Sequence, residues 1–163
     1  MKLAFLTPGT GNYYCGVCMR DNSLARSLMN AGHEVTMLPT YLPHFLDEEP
    51  ASEELPMFFG GINVYLQHKF ALFRHTPAWM DKALDSKWLL KKAAAKSGMT
   101  SSKDLGEITL STFRGEDGPL VKEVRKVVDW FHSHGKPDVI LLSTIMLAGI
   151  GKVLRRELEI PVY

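Results

Sequence analysis

Two thiols three residues apart, Cys15 and Cys18, stand immediately before Arg20 and Asp21. A C-x-x-C at the start of a helix is the spacing of thiol–disulfide exchange, because helix amides favour the thiolate of the first cysteine. Two cysteines do not fill a four-ligand zinc site by themselves; His33, His44 or His68 would have to join them, and no metal is expected. A thioredoxin-like chain would also need a cis-proline strand, which cannot be placed in this sequence. The plain alternative is two thiols packed in a loop. That loop, Gly9-Thr10-Gly11-Asn12-Tyr13-Tyr14-Cys15-Gly16-Val17-Cys18, is rich in small and polar residues and suits a backbone-lined wall for a sugar or a phosphate-bearing ligand. It does not follow the dinucleotide pattern G-x-G-x-x-G, since Tyr14 takes the third place, and it lacks the lysine of a phosphate-binding P-loop. Arg20 suits an anionic ligand group. Asp21 suits the positive end of a helix dipole.

Two further groups of polar residues fall where strands are expected to end. Lys69, Arg74 and His75 follow a third strand and read either as substrate contacts or as a solvated helix face. Ser143 and Thr144 follow the apolar run Val139-Ile140-Leu141-Leu142 and read as helix caps or as ligand contacts.

These residues need elements to carry them. The apolar run Leu3-Ala4-Phe5-Leu6 stops at Pro8-Gly9 and reads as a strand. Met19, Leu24, Ala25, Leu28 and Met29 recur at helical spacing, which predicts a helix over 19–30 with Gly32 just past its end. Val35, Met37 and Leu38 predict a second strand over 34–38. Strand, glycine loop, helix, glycine stop and strand make a βαβ unit, which requires a parallel sheet covered on its faces. Ligands of such sheets sit at the carboxyl ends of the strands against a helix N-terminus, which makes the loop 9–21 the first candidate site.

Beyond Pro39 to Pro43 the chain turns acidic over 47–54, an expected exposed loop. One or two strands are expected over 57–59 and 62–66, with a tight hairpin over Gly60-Gly61 as one arrangement. Residues 69–112 read as a block of short helices, with Pro77 as a first helical residue, a basic stretch ended by Gly98, and Ser101 or Ser102 capping a helix that holds Leu105, Ile108, Leu110 and Phe113. Val121, Val124, Val127, Val128 and Phe131 predict the longest helix, over 120–134, stopped by Gly135-Lys136-Pro137. A buried strand over 139–142, a helix over 145–158 and the start of another strand at Ile160 to Tyr163 follow. Trp79, Trp88 and Trp130 fall among aliphatics at helical spacing and are expected in the core.

The expected fold is therefore α/β: a Rossmann-like three-layer domain with a mostly parallel sheet and an inserted short-helix block. The 163 residues are enough for one domain with a sizeable core, and the net charge of +1 gives no bulk support to nucleic-acid or anionic-membrane binding. No apolar run is long enough to span a bilayer, and the first apolar run is too short for a signal peptide, so a cytoplasmic location is expected. Because the sequence stops inside what reads as a strand, a longer protein is expected. An unpaired sheet edge would then invite self-association.

Several stretches resemble a known family. Phe5-Leu6-Thr7-Pro8-Gly9-Thr10-Gly11, then Leu24-Ala25-Arg26-Ser27-Leu28, then Ala31-Gly32-His33-Glu34-Val35-Thr36 resemble the opening of group-1 (family 4) glycosyltransferases of the GT-B fold. Gly60-Gly61-Ile62-Asn63-Val64-Tyr65 is similar to the third-strand region of that group and of glycogen and starch synthases. Pro137-Asp138-Val139-Ile140 resembles the strand after its long helix. The resemblance implies that residues 1–163 are the N-terminal, acceptor-side domain, with a helical insertion over about 69–114 and with the C-terminal donor domain lying outside this sequence. It implies transfer of a sugar from a nucleotide-sugar donor to a hydroxyl on a small-molecule or glycan acceptor, with no cofactor required by this part and little activity from it alone. It makes the loop residues Gly9, Thr10, Gly11, Asn12, Tyr13, Cys15, Gly16, Cys18 and Arg20 the cleft wall, although the usual double glycine is absent. A thiol–disulfide redox protein and a non-catalytic α/β binding domain are the competing readings.

Overall fold

A computed structural model describes residues 1–9, 14–41, 43–52, 58, 102–118 and 121–163. The expected strands over 57–59 and 62–66, apart from Phe58, lie outside the described residues. So does the short-helix block before Ser102.

Three parallel strands form the sheet. They are β1 (Lys2–Thr7), β2 (Glu34–Pro39) and β3 (Val139–Leu142), in the spatial order β2-β1-β3. Leu3 lies opposite Val35 on one side and Val139 on the other. Period-two alternation then sorts the side chains onto two faces. Leu3, Phe5, Val35, Met37 and Val139 pack with Ala25 of α1 (Gly16–Asn30). Ala4, Leu6, Leu38 and Ile140 pack on the other face against α3 (Val121–His134) and α4 (Ala148–Leu158). The result is three layers, α1 over the sheet over α3 and α4, as the sequence predicts.

α3 buries Val124, Val127, Val128 and Phe131, the stripe expected from its spacing. Each such side chain removed from water contributes on the order of 1.5–3 kcal/mol. Glu123 is buried on the same helix, where Lys126 donates to both of its carboxylate oxygens at 3.0 and 3.2 Å. Trp130 is half-buried and packs against this core beside Phe58 and Phe131. It stacks on His134 with ring centroids 4.7 Å apart.

α1 ends where glycine permits a left-handed turn. Gly32 has φ +86°, its amide donates to Met29 O at 2.9 Å, and the His33 amide donates to Leu28 O at 3.1 Å. This pair of bonds is the Schellman arrangement, and it turns the chain directly into β2. β3 is held at its start by Asp138, whose carboxylate accepts from the Lys2 amide at 2.7 Å. The stretch after α4 adds to the sheet: Val162 bridges Ile140 in parallel, and the Tyr163 amide donates to Ile140 O at 3.0 Å.

The structure departs from the expected boundaries in two places. α1 starts at Gly16, three residues before the first periodic apolar side chain, so Cys15 is its N-cap residue. The helix expected from Ile145 opens as a 3-10 turn (Ile145–Leu147) before α4 begins. α2 (Ser102–Arg114) continues into another 3-10 turn (Gly115–Asp117) and rests on the beginning of α4.

Candidate functional site at the strand tips

The order β2-β1-β3 places the two neighbours of β1 on opposite sides, and their helices cover opposite faces of the sheet. The chain therefore diverges at the carboxyl end of β1, the position at which open α/β sheets bind their ligands.

Backbone bonds fix the tips. The Thr40 amide and hydroxyl both donate to Thr7 O at 2.8 Å, the Tyr41 amide donates to Pro8 O at 2.9 Å, and the Ser143 amide donates to Leu6 O at 3.0 Å. Tyr41 then donates its hydroxyl to Thr112 Oγ1 at 3.0 Å, which ties the end of β2 to α2.

Polar side chains converge on this rim. Arg20 donates through Nε and Nη2 to Asp21 Oδ1 at 2.9 and 2.7 Å, and through Nη2 to Ser143 O at 3.4 Å. It thus clasps the first turns of α1 to the tip of β3. Asp21 is only 2% exposed, and its second oxygen, Oδ2, has no partner among the described residues. The same holds for Ser143 Oγ and Thr144 Oγ1. A buried polar atom left unpaired costs roughly 1–3 kcal/mol, so three of them at one strand tip require a reason.

His44 arrives from the segment after β2. Its Nε2 is bonded to Thr7 Oγ1. Burial lowers the His44 pKa below 6.5, and the charge of Asp21 only partly opposes this. The folded state therefore holds a neutral imidazole, while the unfolded chain binds a proton below pH 6.5. Stability is fully present above that pH and is lost as pH falls through the lowered value. Urea midpoints are expected to drop between pH 7 and pH 5, with a shallower slope in His44→Gln; equal slopes in the two proteins would contradict this assignment.

The thiols lie on the same side of the sheet end. Cys15 is half-buried and Cys18 is fully buried one turn further into α1. Burial pushes the Cys15 thiol up, but the Cys18 and Val17 amides and the Cys18 thiol point at its sulfur and bring its pKa below the ordinary value. Burial and the hydrogen bond to Cys15 push Cys18 up to about 11. An amide from Gly9, at the β1 tip, also faces the Cys18 sulfur.

Of the residues singled out in the sequence, Gly9, Cys15, Gly16, Cys18, Arg20, Ser143 and Thr144 all fall at the carboxyl end of the sheet. Thr10, Gly11, Asn12, Tyr13, Lys69, Arg74 and His75 lie outside the described residues. Two roles change. Asp21 is not in the first turn of α1, because the helix starts earlier, and it is buried rather than serving the dipole at the surface. Ser143 and Thr144 do not cap through their side chains: the turn closes by the Leu147 amide on Thr144 O at 3.1 Å, and both hydroxyls are left unpaired. Thr7 and His44 join the site without having been expected there as a pair. A threonine ending an apolar run is the only sequence signal for the first, and nothing in the local pattern marks the second.

A hollow of about 350 Å³ lies elsewhere, between the end of α2 and the first turns of α4. Its carboxylate Glu116 is taken by a two-bond fork from Arg156 at 2.9 and 2.8 Å. That hollow is the seam of a helix packing, with its charge already matched. Among the described residues, no group of three or more histidine, cysteine or acidic side chains is arranged to hold a metal ion, and no helix is long and apolar enough to cross a membrane. Comparison with family models, curated proteins and solved structures finds no match for this chain.

Proposed function

We propose that this chain is the acceptor-side domain of a GT-B glycosyltransferase. The observation that supports the reading best is the trio of unpaired buried groups, Asp21 Oδ2, Ser143 Oγ and Thr144 Oγ1, at the divergence between β1 and β3. A carboxylate oxygen and two hydroxyls are the acceptors and donors that a sugar or other polyol requires. The carboxylate accepts from a ligand hydroxyl, and the two threonine and serine hydroxyls donate or accept as the ring requires.

In this reading the α1 N-terminus and the Arg20 clasp form one wall of the cleft, and Gly9 lets the backbone come close to the ligand. The opposite wall is a donor domain that binds the nucleotide-sugar. That domain supplies most of the electrostatic stabilisation of the leaving diphosphate, and the tip of this sheet orients the attacking hydroxyl. Neutral His44, held by Thr7, is suited to hydrogen bonding near the acceptor rather than to carrying a positive charge.

The test is a titration of the 163-residue chain with methyl hexopyranosides and disaccharides, followed by amide NMR shifts. Shifts are expected at Thr7, Asp21, Ser143 and Thr144, with no turnover of nucleotide-sugars by this chain alone. A panel that leaves those amides unmoved, or a measurable transferase turnover by the chain, would overturn the reading.

A further inference from the structure

We infer that Cys15 and Cys18 are a redox-active dithiol that closes to an intramolecular disulfide at the carboxyl end of the sheet. This inference stands apart from the sugar-transfer reading, because it concerns the thiols alone and is tested without a sugar.

The geometry divides the labour. Cys15 is the N-cap residue of α1, with extended backbone (φ −123°, ψ 116°) and part of its surface in water. Cys18 lies one turn on, fully buried, and its thiol hydrogen-bonds the Cys15 sulfur. The half-buried member is therefore the one an external reagent reaches, and the buried member hydrogen-bonds to it. No side-chain hydrogen bond caps this helix, and the Val17 and Cys18 amides beside the Cys15 sulfur favour its anion. Burial and the hydrogen bond to Cys15 keep Cys18 protonated until it is needed, and the neighbouring Asp21 charge works against both thiolates.

The reaction partner is a low-molecular-weight disulfide, RSSR. The Cys15 thiolate attacks one of its sulfurs, the S–S bond breaks, and one thiol RSH leaves with a proton. The Cys18 thiol then gives its proton to solvent and attacks the Cys15 sulfur of the mixed disulfide, and the second RSH leaves. Two electrons and two protons pass from the protein thiols to the two RSH, and the protein gains one Cys15–Cys18 bond. The Gly9 amide faces the Cys18 sulfur, so the bond forms between the tip of β1 and the start of α1.

The 163-residue chain is equilibrated in mixtures of oxidised and reduced glutathione, quenched with acid, alkylated and weighed by mass spectrometry. Both thiols are expected to disappear together, with a product lighter than the reduced chain by two hydrogens. Iodoacetamide at pH 7 is expected to label Cys15 at least about tenfold faster than Cys18. Cys18→Ala is expected to accumulate a glutathione adduct on Cys15, with circular dichroism checking that it folds. The wild-type masses stand alone if it does not. Thiols that stay reduced in oxidised glutathione alone, stable wild-type glutathione adducts, or disulfide-linked dimers would each overturn the inference.

Discussion

Gly149→Ala is expected to lower the stability of the domain by about 3 kcal/mol, the upper part of the usual range for overpacking. A Cβ on Gly149 would lie 2.3 Å from Phe113 O and 2.4 Å from Thr112 O. These are backbone atoms at the end of α2, so no side-chain rotation relieves the contact, and α2 as a whole must retreat from α4. Gly115 faces the same seam, with φ +55° and a would-be Cβ 2.2 Å from Gly149 O. For a chain of this size the loss corresponds to a fall in Tm of roughly 6–12 °C. Gly106→Ala supplies the control. It sits in α2 with nothing within 4 Å of the added methyl, and it is expected to leave stability unchanged or raise it by up to about 1 kcal/mol. Thermal melts of the two variants decide the matter, and a Gly149→Ala melting point equal to wild type would show that α2 does not pack as described. The effect also reaches the strand tips. Thr112 accepts the Tyr41 hydroxyl, so a displaced α2 pulls on the segment that leads from β2 to His44.

The second large effect belongs to Asp21. Asp21→Asn keeps the shape of the side chain and removes its charge. On the sugar-binding reading, the affinity for the tightest methyl hexopyranoside is expected to fall about tenfold or more, since a hydrogen bond to a charged group contributes roughly 1.5–3 kcal/mol. Two other readouts need no ligand. The Asp21 charge raises the pKa of His44 and of both thiols. In Asp21→Asn the His44 titration, followed by NMR, is therefore expected to move further down. Iodoacetamide labelling of Cys15 at neutral pH is expected to quicken for the same reason. A variant that loses sugar affinity with His44 and Cys15 unmoved would place Asp21 away from the group described here.

Of the stretches that carry the family resemblance, Gly60 to Tyr65 lies outside the described residues, and most of the described part builds the frame. Gly32 and His33 make the turn that ends α1, Val35 fills the layer under it, and Asp138 pins β3 to the start of β1. They lie at the amino ends of the strands or in the layers. At the other end of the sheet Thr7 and Gly9 belong to the opening stretch, whereas Asp21, His44, Ser143 and Thr144 lie outside the quoted stretches. Resemblance in these motifs therefore speaks to the fold more directly than to the ligand.

The three strands and the valine face of α3 were legible because each depends on a short periodic pattern and on burial, both properties of contiguous residues. The start of α1 was not. Its N-cap is a cysteine instead of an oxygen-bearing side chain, and Gly16 and Val17 continue no apolar stripe. The inward placement of Asp21 followed from that missed turn. Ser143 and Thr144 read as caps because serine and threonine usually are, and only the 3-10 turn beyond them leaves their hydroxyls unpaired.

By itself, then, the sequence determined the layers, the parallel sheet and the location of a polar end, since backbone periodicity and side-chain hydrophobicity act locally. Tertiary structure alone decided which polar groups meet there. Thr7, Asp21, His44 and Ser143 come from four separate segments. No spacing along the chain encodes their meeting. It follows from strand order and helix packing, which bring Arg20 across to Ser143 and leave one buried oxygen of Asp21 without a partner among the described residues.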